Sequence, residues 1–141
     1  MAHKNTVIGG GFHHTAIKVV DFDAAVAFYT KLGFAEKISW GEGDGRAIML
    51  DSGDGNYVEV FAGGKPGAVS EGIVHFAIRT PDVDAAHKLA LSLGAVETMV
   101  PTDVTIKNTS KAGLPPEVPV RISFVRAPGG EIVEFFQNEL T

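Results

Sequence analysis

The chain has 141 residues, of which 45% are hydrophobic and 21% are charged, as expected for one globular domain with a substantial core. Its formal charge is −5, so nucleic acid, whose phosphates need a concentrated basic face, is not an expected partner. It has no cysteine, which excludes disulfides and thiolate metal sites, and no apolar run near the ~20 residues of a membrane span, so a cytoplasmic protein without membrane contact is predicted.

The first half of the chain is predicted to form a strand, a helix and three more strands. Apolar and β-branched residues indicate a strand at 12–20. Asp21 can cap a helix that Gly33 ends, and apolar residues recur at helical spacing between them. Glycine-rich turns separate the three further strands, which are predicted at 35–40, 46–51 and 56–61.

The same order of elements recurs in the second half. A strand at 73–80 precedes a helix that Pro81 and Asp82 open and Gly94 ends. Further strands are predicted at 96–100, 121–126 and 131–137. Residues 102–119 contain three prolines and are predicted to be a long loop, which is a candidate lid.

The recurrence is an internal sequence repeat. With an offset of 61 residues, nine of the twenty positions in 14–33 are identical, including His14 and His75. The chain is therefore predicted to be a single domain of two βαβββ modules, at about 12–62 and 72–138, joined by a linker at about 62–71.

The last strands of the two modules align at a different offset, 75 residues. Glu59 and Glu134 then occupy equivalent positions, each inside an apolar strand. The change from 61 to 75 predicts about fourteen extra residues in the second module, and 102–119 is the obvious place for them.

These equivalences bring two histidines and two glutamates to matching places about a pseudo-twofold axis. Two imidazoles and two carboxylates suit a divalent ion such as Zn, Ni, Co, Fe or Mn. Two unpaired carboxylates buried in strands would be costly, and a metal ion removes that cost. His14, Glu59, His75 and Glu134 are therefore the predicted metal ligands.

The other histidines are not predicted to be ligands. His13 has no histidine at its repeat position, and strand alternation would turn it to the opposite face from His14. His3 is terminal and His87 lies on the second helix, so both are expected to be structural or exposed.

Several other residues are candidates for substrate contact. Lys107 and Arg121 lie in or after the predicted loop and could meet an anionic substrate, although solvated loop cations are the more common case. Lys18 and Arg79 are matched cations in the repeat. Trp40 and Phe61 could line an apolar pocket, with further aromatic or sulfur-containing candidates at Phe12, Met49, Phe124 and Phe136.

The motifs, taken in order, resemble those of the vicinal oxygen chelate superfamily, which unites glyoxalases, bleomycin resistance proteins and dioxygenases, and within it glyoxalase I-like proteins. The matching segments cover nearly all of the chain after Gly11; they are 14–19 (HTAIKV), 28–29 (FY), 32–34 (LGF), 57–61 (YVEVF), 74–78 (VHFAI) and 129–135 (GGEIVEF).

The resemblance implies an α+β fold of two βαβββ modules whose curled mixed sheets surround a metal site. It also implies a divalent-metal-dependent lyase or isomerase that acts on a small oxygenated substrate through a metal-bound enediolate. Glu134 would be the first choice for the catalytic proton carrier, with Glu59 as its partner. Members often form homodimers, and some build the site across two chains.

Two positions depart from the glutathione-binding pattern of glyoxalase I. Lys18 stands where that enzyme has arginine, and Gly63 stands where it has asparagine, which argues against glutathione. The alternatives within the superfamily are a metal-dependent acyl-CoA epimerase, in which the Glu59 place is usually glutamine, an iron dioxygenase, a fosfomycin-type thiol transferase and a non-catalytic drug-binding module like the bleomycin resistance proteins.

Overall fold

The structure, a computed structural model, describes residues 7–66, 72–127 and 132–141. Two βαβββ units follow one another, as predicted. The first comprises β1 (Gly11–Lys18), α1 (Phe22–Leu32), β2 (Ala35–Trp40), β3 (Ala47–Asp51) and β4 (Tyr57–Phe61). The second comprises β5 (Gly72–Arg79), α2 (Val83–Ser92), β6 (Val96–Lys107), β7 (Glu117–Arg126) and β8 (Ile132–Gln137). The predicted α+β class is confirmed.

All eight strands form one mixed sheet that curls into a half-barrel, in the order β2-β3-β4-β1-β5-β8-β7-β6. The central pair, β1 and β5, is antiparallel. In its register His14 faces Ala77 and Ala16 faces His75, so each pairing is the repeat equivalent of the other. A local pseudo-twofold axis therefore passes between β1 and β5 and relates the two modules.

The helices cover the outer face of the sheet. Asp21 caps α1 by accepting from the Ala24 amide at 2.9 Å, and Asp82 caps α2 by accepting from the Ala85 amide at 3.0 Å. Gly33 follows α1 at φ 111°, a conformation that favours glycine. The apolar residues under α1 include Ile48, Leu50 and Val60, and those under α2 include Val125, Val133 and Phe135. Neither helix is long and apolar enough to cross a membrane, among the residues described.

The predicted loop at 102–119 is wrong, because most of it is the hairpin of β6 and β7; only 108–116 connects the two strands. Val104, Val118 and Val120 alternate with more exposed residues and pack into the core of the inner face, which favours extended backbone over a loop. Pro119 is tolerated in β7 because it lies beyond Arg121, the last β7 residue that pairs with β8 on that side.

The hairpin contains the extra residues that the repeat predicted. β6 is six residues longer than β2, β7 is five longer than β3, and the connection between the strands is three residues longer. Together these account for the change of fourteen in the repeat offset. The insertion thus extends a pair of strands and does not form a flexible lid.

The hairpin tip joins the two outer strands of the half-barrel. The Thr109 amide donates to the Ser39 carbonyl at 2.7 Å, and the Ser39 amide donates to the Asn108 side-chain oxygen at 3.3 Å. The Asn108 side chain also donates to the carbonyls of Leu114 and Pro115, which fixes the tip. The connection 108–116 is therefore anchored across the opening between β6 and β2.

Candidate metal centre

Two rows of three residues cross the inner face of the sheet, each with an alanine at its centre. The rows are Glu59–Ala16–His75 and His14–Ala77–Glu134. The two alanines are fully buried. Because each has only a methyl group, the four longer side chains can lean over it and converge. The structure thus brings together the four residues predicted to bind a metal, within one chain.

The convergence is close. His14 Nε2 lies 3.0 Å from Glu134 Oε1, 3.6 Å from Glu59 Oε2 and 3.1 Å from His75 Nε2. His75 Nε2 lies 3.5 Å from Glu134 Oε1 and 3.9 Å from Glu59 Oε1. Ligand atoms of His14, Glu59 and His75 all lie within 4.8 Å of one another, as a shared ion requires. None of the four residues is more than 8% exposed.

The donor set fits a divalent cation. Among the described residues, Glu134 Oε1 is a buried oxygen without a hydrogen bond of acceptable geometry, although His14 Nε2 is close to it. Buried polar atoms are normally satisfied, so a buried oxygen without a well-aligned donor, among three other electron-pair donors, suits a bound cation. Two nitrogens and two carboxylates are the ligand types of borderline divalent transition ions.

The charges within the cluster perturb one another. Burial raises the pKa of Glu59, and the nearby Glu134 carboxylate adds to that rise against the opposing effect of the histidines. Burial also opposes ionisation of Glu134, but the two facing imidazoles outweigh it and lower its pKa. Burial would lower the pKa of His14, but the two carboxylates raise it. Without metal, the cluster therefore favours an ionised Glu134 beside a protonated His14.

The prediction that His13 faces away from His14 is wrong. A β-bulge in β1 at His13 interrupts the side-chain alternation, since Phe12 and His14 pair with successive residues of β5. His13 is 1% exposed, and its Nδ1 lies 2.8 Å from Nδ1 of His14. Burial, reinforced by the positive charges of His14 and Arg79, lowers the pKa of His13 to about 2. His13 is therefore a neutral, buried contact of a cluster residue.

Partly exposed aromatic side chains lie beside His75, at one side of the cluster. The rings of Phe124 and Phe61 lie 5.2 and 6.5 Å from that of His75, and Trp40 lies 6.0 Å from Phe61. Lys18 pairs with Phe61 across β1 and β4 and is exposed. Since its neighbours along the strand pack under α1, alternation turns Lys18 to the face of the cluster. This outer side of the cluster, lined by Trp40, Phe61 and Phe124, is called the aromatic mouth below.

Three other predicted substrate contacts do not reach the cluster. Arg79 lies at the opposite end of the β1–β5 pair from Lys18, and its guanidinium donates to the carbonyls of Phe12, Thr141 and Gly55. Lys107 pairs with Glu117 at the exposed end of the long hairpin.

Arg121 lies on the helix side of the sheet, where its guanidinium binds Asp84 at 2.8 Å and Asp103 at 3.0 Å. Its position is the repeat equivalent of Arg46, which binds Asp23 at 3.2 Å in the first module. In each module, an arginine therefore holds an acidic residue of the first helical turn; Arg121 lies within β7, and Arg46 directly precedes β3. The 75-residue offset already pairs Arg46 with Arg121, so this structural role could have been found from the sequence.

His87 is structural, as predicted. It is buried, with Nδ1 2.9 Å from the Ser123 hydroxyl and Nε2 2.7 Å from a Glu97 oxygen. His3 lies outside the described residues. Phe12 is 46% exposed, whereas Met49 and Phe136 belong to the core of the inner face.

A cavity of about 710 Å³ lies at the Arg79 end of the half-barrel. Its lining includes His13, Arg79, Val120 and Phe136, but none of the four clustered residues. It is therefore separate from the aromatic mouth, and His13 and Phe136 both line the cavity and contact His14 of the cluster.

The family model described as "Glyoxalase/Bleomycin resistance protein/Dioxygenase superfamily" matches residues 11–135. No curated protein matches the chain. Methylmalonyl-CoA epimerase from Mycobacterium tuberculosis is similar in structure, with a TM-score of 0.68 and 21% identity over 96% of this chain and 93% of that chain.

Two further solved structures have the same fold. A methylmalonyl-CoA epimerase in complex with methylmalonyl-CoA and NH4+ has a TM-score of 0.65 and 22% identity, over 92% of this chain and 95% of that chain. A variant of the Streptomyces coelicolor methylmalonyl-CoA epimerase in complex with 2-nitronate-propionyl-CoA has a TM-score of 0.64 and 22% identity, over 92% and 98%. At these identities, the likeness concerns the fold. The family match spans most of the chain, which therefore belongs to the glyoxalase/bleomycin resistance protein/dioxygenase superfamily.

Proposed function

We propose that the chain is a metal-dependent enzyme of the lyase or isomerase type, in which His14, Glu59, His75 and Glu134 hold one divalent transition ion. The observation that carries the proposal is the convergence of their buried side chains, in which Nε2 of each histidine lies 3.0 to 3.9 Å from a carboxylate oxygen of each glutamate. Buried charges on this scale are retained where they bind something, since a purely structural core would be more stable with apolar residues.

The chain's own groups would move a proton on a carbon beside a substrate carbonyl. An ion at this position, when bound, polarises the carbonyl oxygen and stabilises the negative charge that develops on it. Glu134 is the first choice for the proton carrier, by the resemblance to glyoxalase I-like proteins, and Glu59 is its partner. The partly exposed rings of Phe61 and Phe124 would shield the reacting carbon from water on the outer side.

The first candidate reaction is of the glyoxalase type, on a small oxygenated substrate that enters by the aromatic mouth. Lys18 is exposed beside Phe61 and offers a single positive charge to an anionic group of the substrate. Glutathione is not the expected thiol, because Lys18 lacks the forked guanidinium and Gly63 offers no side-chain amide.

The second candidate is epimerisation of an acyl-CoA. It is favoured by the methylmalonyl-CoA epimerases, whose fold covers more than nine-tenths of this chain. Both reactions begin with removal of a proton next to a carbonyl, so the same cluster serves either. The carboxylate at Glu59 favours the glyoxalase type, whereas the structural neighbours favour the epimerase.

Metal content is the first test. We expect about one transition ion per chain in protein purified without added metal, measured by plasma mass spectrometry. Glu134→Gln and His75→Ala should lose the ion, and Glu117→Gln, which changes an exposed carboxylate away from the cluster, should keep it. A wild-type chain that neither contains nor takes up metal would move the drug-binding alternative to first place.

Proton exchange then separates the two reactions. In D2O, NMR of a methylmalonyl-CoA solution should show exchange of the proton beside the carbonyl if the chain is an epimerase. Hemithioacetals of 2-oxoaldehydes with several thiols, glutathione among them, test the glyoxalase type. Loss of either activity in Glu134→Gln, with the fold intact, would support the role of that carboxylate.

A further inference from the structure

A chain of hydrogen bonds leads from β8 and the residues that follow it to one histidine of the cluster. Asn138 Oδ1 lies 3.3 Å from the Thr141 hydroxyl, which lies 2.8 Å from Nε2 of His13. Nδ1 of His13 then lies 2.8 Å from Nδ1 of His14. The Thr141 hydroxyl and the ring nitrogens of both histidines could each donate or accept. The direction of these hydrogen bonds therefore depends on a group at one end whose role is fixed.

Asn138 fixes that end. Its Nδ2 donates to the Pro119 carbonyl at 2.9 Å. Its Oδ1 accepts from the amides of Leu140 at 2.6 Å and Thr141 at 2.9 Å. With its nitrogen committed to a carbonyl and its oxygen to backbone donors, the amide has one orientation. Because Oδ1 can only accept, the hydroxyl is the donor in the 3.3 Å hydrogen bond between Thr141 and Asn138.

The donor in each following hydrogen bond, from Thr141 through His13 to His14, is then determined. Since the Thr141 hydrogen points at Asn138, its oxygen accepts from Nε2–H of His13. A neutral imidazole that donates from Nε2 has a bare Nδ1, which can only accept. His14 must then donate from its own Nδ1–H, so Nε2, which faces the cluster, is the nitrogen that gives up its proton when a metal ion binds. His13 is 1% exposed and packs against the rings of Tyr57 and Phe136, surroundings that favour the neutral imidazole.

We propose that Asn138, Thr141 and His13 are positioning residues that hold His14 in the tautomer whose Nε2 can bind a metal ion. The inference rests on the proposed function only for the identity of the bound ion, because the order of the hydrogen bonds follows from the protein alone. Such outer partners of a metal-binding histidine typically change affinity 10- to 100-fold when removed.

The second module has no equivalent of the hydrogen bonds that join Asn138, Thr141 and His13 to His14. The repeat counterpart of His13 is Val74, whose side chain has no polar atom and is 41% exposed. The same backbone bulge occurs there, since Ala16 and Ile17 of β1 pair with His75 and Ile73 across it. A hydrogen-bonded partner at the bulge is therefore specific to the His14 side of the cluster.

Nitrogen NMR of the metal-free wild-type chain tests the order directly. With 15N-labelled histidine, we expect a proton bonded to His14 Nδ1 that also shows scalar coupling across the hydrogen bond to His13 Nδ1. In His13→Asn the coupling should disappear while the proton on His14 Nδ1 remains, which confirms the assignment. A proton bonded to His13 Nδ1, or no coupling between the two rings, would overturn the proposal.

Zinc affinity of matched variants tests the consequence. His13→Asn keeps an acceptor oxygen near the place of Nδ1, whereas His13→Leu has similar volume and no acceptor. We expect His13→Leu to bind zinc 10- to 100-fold more weakly than wild type and His13→Asn to stay within a few-fold. Equal affinities for His13→Leu and wild type, or an equal loss in both variants, would show that the acceptor does not position His14.

Two controls keep these results separable. If His13→Leu does not fold by circular dichroism, Thr141→Val takes its place, because it removes the acceptor for His13 Nε2 at nearly constant shape; unchanged zinc affinity in it would overturn the proposal. A wild-type chain that binds no zinc or other transition ion would overturn the proposed function, while the NMR measurement still decides the order of the hydrogen bonds.

Discussion

The two histidines of the cluster follow the same backbone feature but have different surroundings. In each module, the residue before the histidine forms a bulge between β1 and β5, at His13 in the first module and Val74 in the second. His13 is buried and hydrogen-bonded to His14, whereas Val74 is 41% exposed. Backbone geometry is thus common to both modules, and the side chain at the bulge makes them differ.

This difference gives the cluster an inner and an outer side. The ring of His14 packs against Phe136, which belongs to the core of the inner face. The ring of His75 packs against Phe124 and Phe61 at the aromatic mouth. Duplication therefore accounts for the four converging side chains, and divergence of the neighbouring residues determines from which side a substrate can approach.

Replacement of the two cluster histidines in turn should give the largest change in stability, and the two replacements should differ. Without metal, His14→Ala should lower the free energy of unfolding by roughly 3 to 5 kcal/mol, because it leaves buried Glu134 without its cationic partner. His75→Ala should cost about 1 to 3 kcal/mol, since water can enter from the mouth. Urea unfolding with chelator present measures both. A larger loss for His75→Ala would contradict the assignment of inner and outer sides.

The alanines should behave alike, unlike the histidines. Ala16→Val and Ala77→Val each add two methyl groups at the centre of a row, where the cluster side chains converge. We expect both variants to fold with a loss of about 1 to 3 kcal/mol and to lose bound metal. Ala86→Val, in the separate core under α2, is the matched control and should keep metal. Metal retained by either row variant would show that the space above the alanines is not needed.

Adjacent histidines should respond to pH in opposite directions. The pKa of His13 is about 2 in the folded chain, below its ordinary value of 6.5, so unfolding takes up a proton between these values. Its contribution to stability is complete above pH 6.5 and is lost as pH falls, by up to about 1.4 kcal/mol per pH unit. The pKa of His14 is raised, so its contribution is present below pH 6.5 and is lost as pH rises through the folded value.

Chemical unfolding of metal-free protein from pH 4 to 9 checks this pair. His13→Asn should remove most of the loss on the acid side and leave the behaviour above pH 6.5 unchanged. If the acid slope of wild type persists in that variant, another group is responsible for it.

The smallest effect is expected where the modules are most alike. Arg121→Gln and Arg46→Gln each remove an exposed ion pair between an arginine in or next to a strand and the first turn of a helix. Both should lower the thermal midpoint slightly, and 1 M salt should reduce the difference from wild type. Arg121→Gln should have the greater effect because Arg121 binds two carboxylates. A salt-independent loss would indicate packing and not charge.

The repeat explains why so much of the fold could be predicted from one sequence. Identities at a fixed offset locate equivalent strands, and symmetry then brings residues 45 or more positions apart to one point, as it does for His14, Glu59 and Glu134. The alanines between them, Ala16 and Ala77, were also identical in the repeat, but their role depends on the register of neighbouring strands, which the sequence does not encode locally.

Two features were missed for specific physical reasons. The position of His13 could not be predicted because period-two alternation fails at a bulge, and a bulge has no signature in these residues. The hairpin of β6 and β7 could not be predicted because the prolines at 115, 116 and 119 favour a loop. Pro119 is compatible with β7 only because β8 has already ended beside it, which is a tertiary fact.

The hairpin tip has a consequence for solubility. β2 and β6 are the outer strands of the sheet, and unpaired outer strands invite other chains to extend the sheet and aggregate. At Ser39 both backbone groups of β2 are already bonded, the carbonyl to Thr109 and the amide to the Asn108 side chain. The residues inserted in the second module thus block a point on β2 at which a foreign strand would otherwise begin to pair. Shortening the hairpin to the length of its counterpart in the first module would expose β2, and the chain should then be more prone to aggregate even with the cluster of histidines and glutamates intact.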